Sequence, residues 1–321
     1  MPYQKPLNGS KKMDINSSQS QCKEQIRTIA LNSGFTACGF AKAEAVEKDA
    51  VGKFNKWIED GFNGCLDYMK NYPDLRENPT LLFPGTKTII CLALNYYPAV
   101  KQPVDVPQFS YYAYGRDYHK VARKLAKPIV EYIKSLGGEC RICVDSAPIR
   151  ERYWAQKAGI GFIGMNNQLI LPDKGSYFFL AEILTTLEIA PDEPCTLTCG
   201  NCGNCMKACP ASAISGDCRI DASRCLSSLT IESPELPEDT ARTLGNRVYG
   251  CDKCQQVCPH NKSAVPTTVE EFSPTEEFLA LNEEKLLSMT EEDFNRIFQH
   301  SAVKRAKHAR LMRNIAATKK A

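Results

Sequence analysis

The sequence predicts an α+β protein: a mixed helix–strand region, then a cysteine-rich metal module, then a helical C-terminal region. Three observations predict it. Apolar runs of strand length alternate with helical stripes between residues 21 and 190. Seven of the sixteen cysteines crowd into two short runs, at 199–209 and 251–258. From residue 268 onward short helical patterns with capping signals take over. The expected organisation is a polar, disordered leader over 1–20, an α/β domain over 21–190, the cysteine module over 191–265 and a helical region over 266–321.

Each element has a local reason. Helices are expected over Gln21–Asn32 and Glu47–Asp60. "KTIICLALNYYP" is apolar throughout and reads as a buried strand ending at Pro98. Val121, Leu125, Ile129, Ile133 and Leu136 form a helical stripe from Tyr118 to Leu136, with Pro128 as a kink and Gly137–Gly138 as the stop. "ECRICVD" reads as a strand, followed by a helix over Ile149–Ala158. "NQLILP" and "SYFFLAEILTTLEI" read as two further strands, joined in a hairpin around Asp173–Gly175. In the C-terminal region "SPTEE" and "MTEED" carry N-cap residues with acids in the first turn, and a last helix starts near Ser301.

Hydrophobic residues make up 43% of the 321, enough for a substantial core. The net charge of +3 excludes polyanion binding by bulk charge, so any nucleic-acid contact must come from charge placement. No apolar run reaches membrane-span length and no export signal is visible, which points to a cytoplasmic protein without a membrane partner. In that reducing compartment the cysteines argue for metal sites over disulfides.

The first run, Cys199, Cys202, Cys205 and Cys209 followed by Pro210, has the spacing of two-cluster bacterial ferredoxins, whose fourth cysteine ligates the other cluster. The second run, Cys251, Cys254 and Cys258 before Pro259, is one ligand short, and Cys225 is the candidate to complete it. The expected partition is Cys199, Cys202, Cys205 and Cys258 for one [4Fe–4S] cluster, and Cys209, Cys225, Cys251 and Cys254 for the other. Structural zinc also uses thiolates but seldom repeats a run of this form with its trailing proline. Cys195 and Cys218 compete for individual ligand positions.

Other motifs carry less. Gly159, Gly161 and Gly164 complete a dinucleotide-type G-x-G-x-x-G, yet they follow a helix where the fingerprint needs a preceding strand. Cys140 and Cys143 are three apart on a strand, so they point to opposite faces and belong to the core. His119 in "DYH" begins like a cobalt-ligating histidine motif, but Ala122 replaces its glycine, which leaves His119 as a pocket-rim residue at a helix start. His260, His300 and His308 are scattered. Asp145 ends a strand before a helix, where a carboxylate serves either in catalysis or as an N-cap; its neighbours in sequence leave both readings open.

In combination, "YAYGRDYHK", "VDSAPIRERYWAQKAGIGFIGMN", "SYFFLAEILT", "CGNCGNCMKACPASAI", "RCLSSLTIE" and "GNRVYGCDKCQQVCPHN" closely resemble the epoxyqueuosine reductases, over residues 20–315. The resemblance implies a nitroreductase-like cobalamin-binding domain joined to a two-cluster ferredoxin-like module. Cobalamin is then bound base-off between them, and electrons reach it through the two [4Fe–4S] clusters. The substrate is epoxyqueuosine at the wobble position of a tRNA anticodon arm, and the product is queuosine. Asp145 becomes the acid, with a pKa raised by burial. Tyr68, Leu169, Ser227, Cys251 and Asp252, with the segment Gly164–Leu169, become corrin contacts. Met165 stands where the family usually has lysine, and Ser228 where a larger residue is common. The resemblance further implies a monomer fed by a small donor such as flavodoxin or ferredoxin. The rival readings are a reductive dehalogenase, which usually carries an export signal and a tyrosine acid, and a non-enzymatic iron–sulfur electron carrier. Seven Lys or Arg residues and no acid lie in 301–321; they serve either tRNA phosphates or a solvated helix face.

Overall fold

The computed structural model describes residues 15–319. The first fourteen residues of the expected leader lie outside this range, and the rest is already helical, because the first helix runs over Ile15–Asn32 and not from Gln21. Eight strands occur among the described residues: β1 (Ala37–Lys42), β2 (Thr88–Asn95), β3 (Gln108–Phe109), β4 (Cys140–Cys143), β5 (Phe162–Ile163), β6 (Leu169–Ile170), β7 (Phe178–Thr185) and β8 (Arg247–Tyr249). A four-stranded antiparallel sheet in the order β1–β2–β7–β4 forms the centre of an α+β fold.

Both faces of that sheet are covered, which is why "TIICLALN" shows no polar alternation. On one face Phe40, Ile90, Leu92 and Ile183 pack against Ile26, Ala30, Val121, Ile129 and Ile133 from the flanking helices. On the other, Ile89, Cys91, Cys143 and Leu184 pack against Trp154 and Ala155. Each fully buried Val, Leu, Ile or Phe among them stabilises the fold by about 1.5–3 kcal/mol. Cys140 and Cys143 fall on opposite faces, as strand geometry requires.

The stripe at 118–136 forms two helices, Tyr118–Leu125 and Lys127–Ser135, divided at Ala126. Pro128 lacks the N–H that would continue the first helix and sits comfortably in the first turn of the second. Gly137 then ends the pair with φ +77°. The expected hairpin between β6 and β7 does not form. Asp173 takes φ +58° in a tight turn bridged by Leu171 and Gly175, but β6 pairs with β5. The eight residues of β7 instead ladder with β2 on one side and β4 on the other, which the two-residue β6 cannot match. Gly161 of the dinucleotide-like motif serves close packing: a Cβ there would lie 2.4 Å from the carbonyl oxygen of Ile170.

The cysteine module is tied to this scaffold at several points. Strand β8 pairs in parallel with β3. Trp57 Nε1 donates to the Ile220 carbonyl at 2.7 Å. Buried Gln255 donates through Nε2 to the Ser176 carbonyl at 3.0 Å and to Ser176 Oγ at 3.1 Å. In the C-terminal region Thr275 and Thr290 are the N-caps foreshadowed by "SPTEE" and "MTEED", and Thr290 forms a full capping box with Asp293.

The last helix is shorter than expected. Ser301 caps a 3-10 turn over Ala302–Ala306, and the α-helix follows at Lys307–Thr318. Its basic residues are largely spent inside the protein. The Leu226–Ile231 helix ends beneath it with free carbonyls. Arg310 donates to the Ile231 carbonyl, and Arg313 to those of Ser233 and Leu229 at 2.7 and 3.1 Å. Arg305 grips Glu232 through Nε and Nη2 at 2.8 and 2.9 Å. Fully buried Asn314 donates to the carbonyls of Thr230 and Val248, both at 2.8 Å. Asn314→Ala strands two buried carbonyls, so the unfolding midpoint should drop by the equivalent of about 2 kcal/mol or more in a thermal or denaturant melt.

Candidate functional site

The two sets of four cysteines gather in two places. Cys199, Cys202, Cys205 and Cys258 line one cavity of about 70 Å³, together with Met165, Asn166, Ile170 and His260. A single buried water needs only about 10–15 Å³, so the thiols surround room for a group of several atoms. Among the described residues no three His, Cys, Asp or Glu side chains close on one point as the ligands of a single ion would. Cys209, Cys225, Cys251 and Cys254 lie within electrostatic reach of one another. Burial pushes Cys251 up to about 11; the Lys253 backbone N–H and then Arg247 oppose it, and Cys225 and Asp252 add smaller contributions in the same direction as burial. Cys218 sits near Cys199 but turns its sulfur toward Met165, at 4.0 Å, and does not line the cavity. The donor sets therefore fit two four-iron clusters, with Cys202 the exposed member.

Asp145 stands at the end of β4. Val144 is fully buried and anchors the strand, and Asp145 then turns into the left-handed region with φ +53°. It does not cap the following helix: Arg150 is the N-cap residue there, without a capping side chain. Instead its Oδ2 accepts hydrogen bonds from Tyr118 Oη at 2.9 Å and from His119 Nε2 at 3.0 Å. The other ring nitrogen of His119, Nδ1, meets Asp117 Oδ1 at 2.7 Å. Asp117 caps the Tyr118–Leu125 helix and so fixes the ring. Tyr118 is clamped between the His119 ring and Phe179, with centroids 4.2 Å away on both sides.

An imidazole bonded to a carboxylate through each nitrogen is a cation. Burial works against its charge, but the bonds to Asp117 and Asp145 outweigh burial and raise His119 to about 9. Asp145 moves the opposite way from expectation. Burial would raise it, yet the bonds from His119 and Tyr118 hold its carboxyl below the ordinary range. The proton expected on Asp145 therefore rests on His119 beside it.

Other expected site residues are placed unevenly. Tyr68 is 45% exposed and lies within electrostatic reach of Asp145, Glu232 and Arg305, so residues of the α/β region, the cysteine module and the C-terminal region come together near Asp145. Ser227 and Cys251 are half-buried. Leu169 departs from expectation: its side chain is 4% exposed and packs among Trp154, Ala155 and Leu171, so only its backbone is available for a ligand. The Asp252 carboxylate turns inward to accept the Tyr111 N–H at 2.8 Å, and burial raises it to about 6. Sequence reasoning gave Tyr118 and Asp117 no role and set His119 at a rim. The signal was "DYH" itself, an N-cap, an aromatic and an imidazole that one helical turn presents together.

Comparison with known proteins places these features. A family model described as epoxyqueuosine reductase QueG, DUF1730, matches residues 76–146, and one described as a 4Fe-4S double cluster binding domain matches 198–261. The chain is 39% identical to an epoxyqueuosine reductase of Cellulophaga algicola over 293 residues, 90% of this chain and 95% of that one. It is 37% identical to the Escherichia coli epoxyqueuosine reductase over 316 residues, 96% of this chain and 82% of that one. Its fold is similar to a crystal structure of epoxyqueuosine reductase with a tRNA-Tyr epoxyqueuosine-modified stem loop, with TM-score 0.84 and 29% identity over 93% of this chain and 81% of that one. A Bacillus subtilis epoxyqueuosine reductase, solved with its catalytic aspartate loop swung out of the active site, gives TM-score 0.83 at 29% identity over the same shares of the two chains.

Two measurements check this geometry. His119 should titrate near 9 by NMR and fall back toward the ordinary imidazole value in Asp145→Asn; ordinary titration in the wild type would contradict the ion pair. The stability the pair contributes is complete below the ordinary imidazole value and disappears as pH rises through about 9. At the acid end the share from Asp145 and Asp117 is present above the ordinary carboxylate value and lost as pH falls below it. Iron content should fall by about half in Cys225→Ala and remain unchanged in Cys218→Ala.

Proposed function

The chain belongs to the epoxyqueuosine reductase family, and from that membership we propose that it reduces epoxyqueuosine to queuosine in tRNA through a proton relay of His119 and Asp145. One observation carries the relay: a solvent-accessible carboxylate held by Tyr118 and by an imidazolium that is itself held by Asp117. Turning an epoxide into an alkene and water takes two electrons and two protons.

Eight thiolates are assigned to the two [4Fe–4S] clusters: Cys199, Cys202, Cys205 and Cys258 to one, and Cys209, Cys225, Cys251 and Cys254 to the other. Exposed Cys202 marks the side where a small donor such as flavodoxin or ferredoxin would deliver electrons. Cobalamin, bound base-off, would be bordered by Tyr68, Ser227, Cys251, the backbone at Leu169 and the chain at Asp252. When bound, it supplies the low-potential electron pair at carbon. His119 is engaged with Asp145.

This chain's own residues handle the proton. Asp145 Oδ2 passes the His119 proton to the oxygen that leaves carbon, and the imidazole then regains one from solvent at its 31% exposed edge. Tyr118, immobilised on Phe179, keeps Oδ2 aimed. The Bacillus subtilis relative with a swung-out catalytic aspartate loop supports a loop at Asp145 that opens for a tRNA anticodon arm and closes on the modified base. Arg305, Arg310 and Arg313 are committed to Glu232 and to helix carbonyls, so the C-terminal helix offers phosphate contacts mainly through its lysines. The chain acts as a monomer in this scheme.

Anaerobic incubation of the reduced holoenzyme with an epoxyqueuosine-bearing stem-loop should give a nucleoside lighter by one oxygen in mass spectrometry; unchanged substrate with clusters and corrinoid intact overturns the reading. Asp145→Asn should retain clusters and corrinoid while turnover drops by about 10²–10⁴-fold. Wild-type turnover in that variant would remove Asp145 from the relay.

A further inference from the structure

The proton balance leaves one group unaccounted for. His119 carries one of the two protons, and the reduction needs another at the same site. Two carboxyls stand behind Asp145 that the relay does not use. Glu151 opens the Glu151–Lys157 helix and turns back, so that its Oε1 accepts the Asp145 backbone N–H at 2.6 Å. Glu182 lies in β7, opposite Cys143 of β4 and Cys91 of β2, on the sheet face that this helix covers. It is fully buried, and neither of its carboxyl oxygens has a hydrogen-bond partner among the described residues.

A carboxylate that deep without a donor is too costly to exist as an anion, so Glu182 is a neutral acid with an uncommitted O–H. An unsatisfied acid in the middle of a sheet calls for an explanation beyond packing, since leucine would pack there at lower cost. We propose that Glu151 is a positioning residue that also stores the second proton for Asp145, and that Glu182 is the neutral acid whose O–H turns to the Glu151 anion once that proton has left. This rests on the reductase reading above.

The two oxygens of Glu151 divide the work. One accepts the N–H of Asp145 and pins a residue that has φ +53°. The other keeps the proton. Glu151 faces Asp145 from the end of β4, His119 from the Tyr118–Leu125 helix, Arg152 from its own helix and Glu182 from β7. Glu182 in turn faces Cys91 and Cys143. Burial, then the negative charge of Asp145, push the Glu151 carboxyl up to about 8, and the Asp145 N–H, Arg152 and His119 offset only part of this. Glu151 is therefore protonated at neutral pH and loses its proton as pH rises through about 8. During turnover its O–H bond breaks, the proton passes to the Asp145 carboxylate and on to the leaving oxygen, and the half-buried Glu151 carboxylate is reprotonated from solvent. No electrons move in this step.

The test uses the intact holoenzyme. Wild-type turnover of the stem-loop should decline as pH passes about 8. Glu151→Gln still accepts the Asp145 N–H through its amide oxygen but holds no proton; it should lose about 100-fold in kcat, with KM little changed, and lack that limb. Glu182→Leu removes the waiting donor and should move the limb to higher pH, whereas Glu182→Gln, which keeps an N–H donor, should leave it nearer the wild-type position. Infrared spectra of the resting protein give a readout independent of turnover and of any failure of Glu151→Gln to fold. In Glu182→Leu one protonated-carboxyl band should remain at pH 7 and titrate away at higher pH than the wild-type limb near 8. Absence of that band, or a Glu151→Gln enzyme with wild-type rate and pH profile, overturns the proposal. Loss of all wild-type turnover, with the band present, instead overturns the reductase reading.

Discussion

The contact on which the rest depends is the buried junction of Gln255 with Ser176. Gln255 follows directly after Cys254 in the cysteine module, and Ser176 leads directly into β7, the central strand of the sheet. Asn261 reinforces it by accepting the Ser176 N–H at 2.7 Å. Relays of electrons and protons work only if their parts keep fixed separations. A module of short helices around metal thiolates has little core of its own to provide this. Its position is borrowed from the doubly covered sheet through these amides.

The same economy governs the far side of the module. The Leu226–Ile231 helix begins right after Cys225 and ends against Arg310, Arg313 and Asn314. A six-residue helix is not stable alone. Its free carbonyls are satisfied by a helix more than seventy residues later in the chain, so the C-terminal region holds in place the helix that follows Cys225. Arginines that look like a nucleic-acid stripe in the sequence are, in space, structural donors.

Electrostatics around Asp145 show how position outweighs residue type. Asp145 and Glu151 are both carboxyls and are joined through the Asp145 backbone N–H, yet they are pushed in opposite directions. Asp145 meets an imidazolium and a phenol and is held ionised. Glu151 meets burial and the charge of Asp145 and is held neutral. Separation of like groups into a charged and a neutral member is how an acid and a base coexist within a few ångströms.

The α+β plan, a kink at Pro128 in the 118–136 stripe, the N-caps at Thr275 and Thr290, and the chemical class of the module were legible in the sequence. These are local matters: hydrophobic period, the missing proline N–H, short-range capping and cysteine spacing act within a few residues. The rest came from long-range packing. Pairing of β6 with β5 rather than β7 depended on competition for ladder partners across the sheet. The burial of Leu169, the inward turn of Asp252 and the commitment of three arginines depended on what lies opposite them. The pKa of Asp145 depended on His119 and Tyr118, which are separated from it in sequence by more than twenty residues. A carboxyl's charge is set by its neighbours in space, and neighbours in space are what a chain acquires only by folding.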